Sequence, residues 1–247
     1  LVSLPIVVTL LSLAQPAGPI WEHLRETVLN EYLLNTLLLM MLTGGLSLLL
    51  GVSTGWLIGA CQFRGRATLS WLLMLPLASP AYIVAYVYTD LLEVSGPVQT
   101  TLRSWLSLGI NDLQFPPIRN LTGAAVLLSL VLYPYIYLLC RNSFAGRSGA
   151  QFDAARVLGH GPFSAFFRVA LPAARPAIVG GLALVLMETL ADFGVVRYFS
   201  VPTFSTGIFR TWPGLVDPQT ALTLASLLLL FVIVLVGLDE SNRRAAV

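Results

Sequence analysis

Residues 32–61 form a run of thirty residues without one charged side chain. A helix needs roughly 20 consecutive apolar residues to cross a bilayer, so this run is long enough to span one with tilt. A backbone in lipid must satisfy its hydrogen bonds within the segment, and the run is therefore expected as a helix. Five more apolar segments accompany it, at 1–14, 67–92, 121–140, 176–196 and 221–238. The expected fold class is an all-α membrane protein with six transmembrane helices in a single transmembrane domain over 1–247. The first segment is short for a bilayer and has neither an initiator Met nor a charged leading region, so it reads as truncated rather than as a signal peptide. Gly51, Gly55 and Gly59 repeat every four residues, a spacing that suits close helix packing. Pro76 and Pro80 are expected to kink or break the third segment.

Composition agrees. Hydrophobic residues make up 56% of the chain, charged residues 11%, and the mean hydropathy is +0.81, far from a soluble average. The net charge of +2 gives no reason to expect a nucleic-acid partner. Cys61 and Cys140 fall at the ends of apolar segments on the side assigned below to a reducing compartment, so no disulfide framework is implied.

Every basic residue is an arginine, and their placement sets the orientation. Arg64, Arg66, Arg141, Arg147, Arg156, Arg168, Arg175, Arg243 and Arg244 fall in the connections 62–66 and 141–175 and in the tail. Arg25, Arg103, Arg119, Arg197 and Arg210 fall in the opposite set. By the positive-inside rule the first set is cytoplasmic, which places both termini in the cytoplasm. The opposite connections, 15–31, 94–120 and 197–220, are long and aromatic and suit surfaces that meet a partner or line a vestibule.

The 141–175 connection spends more than thirty residues on the cytoplasmic side, which points to a surface that touches something. Its centre reads Asp153-Ala154-Ala155-Arg156-Val157-Leu158-Gly159, followed by Val169-Ala170-Leu171-Pro172. Asp153 is expected in the first turn of a short helix, where the macrodipole favours a carboxylate. Ala154 and Ala155 offer a smooth surface, Gly159 with Gly161 and Pro162 ends that helix and turns the chain, and Pro172 is expected to open the next transmembrane helix. The alternative is an ordinary interfacial amphipathic segment.

This spacing resembles the Glu-Ala-Ala-x3-Gly-x9-Ile-x-Leu-Pro signature of bacterial ABC importer permeases, with Asp153 at the Glu position and Val169 at the Ile position. More narrowly, Glu188-Thr189-Leu190-Ala191-Asp192-Phe193-Gly194 and the stretch from Val201-Pro202-Thr203 to Arg210-Thr211-Trp212 resemble iron(III) transport permeases. Permeases for thiamine, phosphonate and other small anions share parts of the pattern. The resemblance implies a type I importer permease fold with a cytoplasmic coupling-helix loop, in the bacterial inner membrane. It implies two ATPase subunits docked through Asp153, Ala154, Ala155, Gly159, Val169, Leu171 and Pro172, a periplasmic binding protein that delivers substrate, and a second permease half, either fused to this one or supplied as another copy. The chain is expected as the N-terminal half of such a fusion. It has no Gly-Lys-Ser/Thr phosphate cradle, so it is expected to be no enzyme and to bind no cofactor, with ATP held by the partner.

Glu188 and Asp192, four residues apart, read either as translocation-path residues, the usual meaning of an intramembrane acid, or, for Asp192, as a capping group or a partner of Arg197. Tyr82, Tyr86, Tyr88, Tyr133, Tyr135 and Tyr137 have the hard oxygen donors that iron takes, but interfacial anchoring accounts for most of them, and no metal site is assigned. Two other classes compete. An intramembrane Ser/His protease lacks its base, since His23 and His160 both fall in connections. An ion-coupled secondary transporter would also use prolines and paired acids, and dependence on ATP separates it from an importer.

Overall fold

The computed structural model describes residues 4–14, 18–110, 112–113 and 115–244, and these are mostly helical, with no strand among them. In chain order the α-helices are α1 (Leu4–Leu11), α2 (Trp21–Thr27), α3 (Leu29–Ala60), α4 (Arg66–Leu72), α5 (Ala81–Leu92), α6 (Pro97–Leu106), α7 (Leu121–Ala145), α8 (Arg147–Val157), α9 (Pro162–Ala165), α10 (Leu171–Ala173), α11 (Arg175–Ala191), α12 (Gly194–Tyr198), α13 (Phe204–Phe209) and α14 (Pro218–Arg244). Three are long and apolar enough to cross a membrane: α3, α7 and the Pro218–Gly237 part of α14. Two interrupted pairs, Arg66–Ala78 with Ala81–Leu106 (bent by 99°) and Pro162–Ala173 with Arg175–Ala191 (bent by 65°), bring the number among the described residues to as many as five where each pair counts as one broken span. Helix α1 has eight residues, too few for a bilayer. Residues 1–3 of the first expected segment, 15–17 of the first connection and 245–247 of the tail lie outside the described residues.

Several boundaries differ from those read in the sequence. Helix α7 runs on to Ala145 and takes Arg141 out of the connection; apolarity marks only the stretch that suits lipid, whereas helical hydrogen bonding continues into polar sequence. The 67–92 segment is broken: a 3₁₀ turn at Leu75–Ala78 leads into extended backbone at Ser79 and Pro80, where two prolines supply no N–H. The 176–196 segment ends at Ala191, and a separate short helix, α12, follows.

The chain divides into two compact units. The first comprises residues 1–42, 80–128 and 190–231. Its core joins Leu24, Tyr32, Phe204 and Leu224. The Tyr32 ring lies so close to Gly207 that a β-carbon there would come within 2.6 Å of it. Asn35 Nδ2 donates to the Pro202 carbonyl at 2.9 Å and the Phe204 N–H donates to Thr36 Oγ1 at 3.3 Å, so side chains of α3 hold the segment that leads into α13. Asp217 caps α14. It accepts from the Thr220 N–H at 3.0 Å and the Thr220 hydroxyl at 2.6 Å, and from the Ile20 N–H at 3.4 Å. Burial by itself pushes this carboxyl up, but the hydrogen bonds from Thr220, Ile20 and Gln219 outweigh it and hold its pKa below the ordinary Asp value.

The second unit comprises residues 43–79, 129–189 and 232–247. Its centre is the contact of α3 with α7. β-carbons at Gly51, Gly55 and Gly59 would fall 2.6 Å from Ile136 Cβ, 2.7 Å from Cys140 Cβ and 2.9 Å from Phe144 Cβ, so the four-residue glycine repeat is a packing face. Two phenols of α7 fasten α4 and the residue after it: Tyr137 donates to the Ser70 carbonyl at 3.1 Å, and Tyr133 to that of Leu73 at 3.0 Å. The Arg66 guanidinium reaches back to the last carbonyls of α3, donating to Ile58 at 2.7 Å and Gly59 at 3.3 Å, where a cation is favoured.

Candidate functional site

The polar connection singled out in the sequence folds, within the second unit, as a compact run of short helices. Helix α8 ends in a Schellman turn. The Gly159 N–H donates to the Arg156 carbonyl and the His160 N–H to the Ala155 carbonyl, both at 3.1 Å. Gly159 has φ +91°, with open space where a side chain would be. It is therefore the backbone conformation, and not crowding, that calls for glycine there. Arg156 Nη1 closes the turn by donating to the His160 carbonyl at 2.8 Å. Pro162 then starts α9 from Gly161, and one π-helical turn, Phe166–Ala170, joins α9 to α10.

An aromatic clasp that the sequence did not reveal anchors this run. The Trp56 ring of α3 meets Phe144 of α7 at 5.0 Å, Phe152 of α8 at 4.9 Å and Phe166 at 4.6 Å between ring centroids, all in edge-to-face geometry. Such pairs contribute roughly 0.5–1.5 kcal/mol each beyond their buried area. Phe152 immediately precedes Asp153, so the clasp fixes the position from which that carboxylate projects. The aromatic run itself is visible in the sequence; its convergence on Trp56, about a hundred residues upstream, is not.

The residues assigned to the loop divide by environment. Asp153, Ala154, Gly159 and Pro172 are exposed, Val169 and Leu171 are half-buried, and Ala155 is buried. Among the described residues Asp153 makes no ion pair. Around the Gly159 turn large apolar side chains stand free: Val157 is 88% exposed, Leu158 81% and Phe163 80%.

Two expectations are corrected here. Asp153 lies mid-helix and not in the first turn, because α8 starts at Arg147 and its first turn carries no acid; the macrodipole argument therefore does not apply to it. Pro172 belongs to α10, and the spanning helix α11 starts afresh at Arg175 after a 65° bend. With Leu171 it lines an apolar cleft of about 910 Å³ whose other walls include Leu48, Leu49, Val52 and Phe167.

Glu188 and Asp192 are not alike. Glu188 lies in α11, exposed, within electrostatic reach of Tyr135 of α7. Asp192 lies past the end of α11. Its Oδ2 accepts the N–H groups of Val195 and Val196, each at 3.1 Å, and its carbonyl accepts from the Ser205 hydroxyl at 2.7 Å. It acts as a cap for α12, the structural alternative read from the sequence.

Comparison with known proteins agrees with this architecture. The chain is 28% identical over 153 residues to the molybdenum transport system permease protein ModB of Escherichia coli, covering 62% of this chain and 64% of that protein. It is 27% identical over 218 residues to the Fe(3+)-transport system permease protein FbpB 2 of Haemophilus influenzae, covering 87% of this chain and 38% of that one. It is 30% identical over 197 residues to the spermidine/putrescine permease PotB of H. influenzae, covering 75% and 67%. The chain thus spans less than two thirds of the E. coli protein and of FbpB 2. Among solved structures, the inward-facing MetNI methionine ABC transporter matches with a TM-score of 0.66 at 17% identity, over 94% of this chain and 100% of that one, which shows a shared fold. The pattern of one family matches residues 47–239, most of the chain and the whole of the loop, and the chain therefore belongs to the family of binding-protein-dependent transport system inner membrane components.

Proposed function

We propose that this chain is the permease subunit of a binding-protein-dependent ABC importer and that residues 141–175 are its docking loop for an ATPase. The observation that carries this reading is the bare apolar turn at Val157, Leu158 and Phe163, held from behind by the Trp56 clasp. Burying each such side chain against a partner stabilises by roughly 1.5–3 kcal/mol. Asp153 and Ala154 flank the turn on the exposed side of α8, where the carboxylate pairs with a basic group of the ATPase and the alanine lets the surfaces close. Gly159 sets the turn, while Val169, Leu171 and Pro172 carry its movement toward α11. The subunit itself hydrolyses nothing. Two ATPase subunits supply the work, a periplasmic binding protein supplies substrate on the opposite side, and a second permease half, fused or as another copy, completes the path, with Glu188 on its wall.

For the substrate we take ferric iron as the working reading. The stretches at 188–194 and 201–212 support it, as does the length over which the chain matches an Fe(3+) permease. A molybdenum or polyamine substrate is the second reading, favoured by the ModB and PotB matches.

The test is co-purification of the chain, in its full gene context, with its ATPase, with and without Asp153→Arg. The native loop should retain the ATPase and the variant should lose most of it while still inserting in the membrane. A folded native protein that captures no ATPase, or a variant that keeps it and still supports uptake, sinks the docking reading and favours an ion-coupled carrier. Reconstitution with the binding protein loaded in turn with iron(III), molybdate or spermidine decides the substrate.

A further inference from the structure

The apolar cleft beside α10, of about 910 Å³, has all its walls in the second unit. Leu49, Val52 and Ser53 of α3 form one side and Phe166 and Phe167 of the π-helical turn another, with residues of α10 and the first turn of α11 completing the lining. Its size falls within the range of ligand pockets, roughly 300–1,000 Å³. The aromatic wall is fixed in place: Phe166 is clasped by Trp56 at 4.6 Å and meets Phe167 edge to face at 4.9 Å. The cleft is also bare, since Leu49 is 67% exposed and Phe167 59%.

The α3 wall offers an occupant no spare proton. The Ser53 hydroxyl donates to its own helix, to the Leu49 carbonyl at 2.5 Å and the Leu50 carbonyl at 3.1 Å. A hydrocarbon therefore fits, and the register of α3 says which. Residues 48–53 lie seven to twelve residues before the helix ends at Ala60, or about 10–18 Å at 1.5 Å per residue. Half of a hydrocarbon core is about 15 Å, so these walls stand in the leaflet next to the 62–66 and 141–175 connections, where acyl chains are the abundant apolar species.

The loop end of the cleft is charged to match a phospholipid. The stretch 166–175 holds two arginines, Arg168 and Arg175, and no acid. Both are exposed, and neither makes an ion pair among the described residues. Arginines beside a spanning helix attract anionic headgroups.

We propose that this cleft holds one acyl chain of an anionic phospholipid, with the headgroup drawn by the positive charge of 166–175. The chain touches both sides of the 65° bend between α10 and α11 and so braces it. The binding itself does not depend on the docking-loop reading.

To test this, the full chain is reconstituted without ATPase in nanodiscs of phosphatidylcholine and phosphatidylglycerol, a trace of the latter carrying a diazirine near the end of one acyl chain. The protein is moved to detergent, washed free of bulk lipid and illuminated, and adducts are mapped by peptide mass spectrometry. Adducts should survive at the cleft walls and disappear at Met41, an exposed α3 residue outside the cleft. Leu49→Trp fills the cleft from an exposed position. Displacing two methylenes, at about fourfold in affinity each, should lower the retained adduct about tenfold or more. Leu38→Trp, exposed on the same helix but outside the cleft, should leave it unchanged. Adducts that wash out of the cleft as fast as from Met41 overturn the proposal, as does retention that Leu49→Trp does not lower. A benzoylphenylalanine in place of Leu49 that cross-links a second copy of the chain instead of lipid also overturns it and makes the cleft a subunit interface. ATPase capture is not read in any of these arms, so failure here is distinguishable from failure of the docking reading.

Discussion

Asp217 shows how one carboxylate can hold a helix and a distant turn together. Its hydrogen bonds to Thr220 start α14 and its bond to the Ile20 N–H ties down the turn before α2. Because its pKa is held below the ordinary Asp value in the folded state, its contribution is present in full above that value and is lost as pH falls through the depressed one. Thermal unfolding of the detergent-solubilised protein across the acid range should therefore show a steeper loss of stability for the native chain than for Asp217→Asn. Asp217→Ala should cost about 1 kcal/mol near neutral pH, as expected for a lost cap. Parallel acid limbs for the native and Asn proteins would remove this role. The cap on Thr220 is local, an Asp followed by a Pro at the first helical position, whereas the bond to residue 20 was not legible, since the fold brings that partner to it.

At the scale of elements the α3–α7 contact makes the sharpest claim. With Cys140 Cβ 2.7 Å from where a β-carbon at Gly55 would sit, Gly55→Leu has to separate the two helices, at a cost of about 1–3 kcal/mol or more. Gly45→Leu, at a position with no neighbour within 4 Å, should be close to neutral; equal melting temperatures for the two variants would contradict the packing role. This face was legible because a period of four survives in the sequence whatever the partner is. The break near Pro76 and Pro80 and the turn at Gly159 were legible for a similar reason, since the missing N–H and the left-handed φ belong to the residues themselves. The start of α8, the separation of Asp192 from α11 and the Trp56 clasp were not, because each depends on which chain segment arrives beside it. Asp153 is the clearest example. Its place in the helix was misread, because nothing in the motif says that helical hydrogen bonding begins six residues earlier.

For the molecule as a whole, the telling residue is Glu188. An ionisable side chain at membrane depth costs roughly 2.5–3.5 kcal/mol unless water or a partner meets it. On α11 it is exposed, one turn from the exposed Leu184, so this face should meet an aqueous path or a second permease half and not lipid. With Cys61 replaced by Ser, a cysteine introduced at position 188 should react readily with a charged, membrane-impermeant thiol reagent, and one at the buried Val185 should not. Equal, slow labelling at both sites would return Glu188 to a structural role. The clasp around Trp56 also bears on how such permeases can be recombined. A chimera that exchanges only the 147–173 segment would bring in foreign side chains at 152 and 166 while leaving Trp56 and Phe144 behind. A graft that is to keep the shape of the loop has to include the rings on both ends of the clasp, so the natural unit of exchange is larger than the loop.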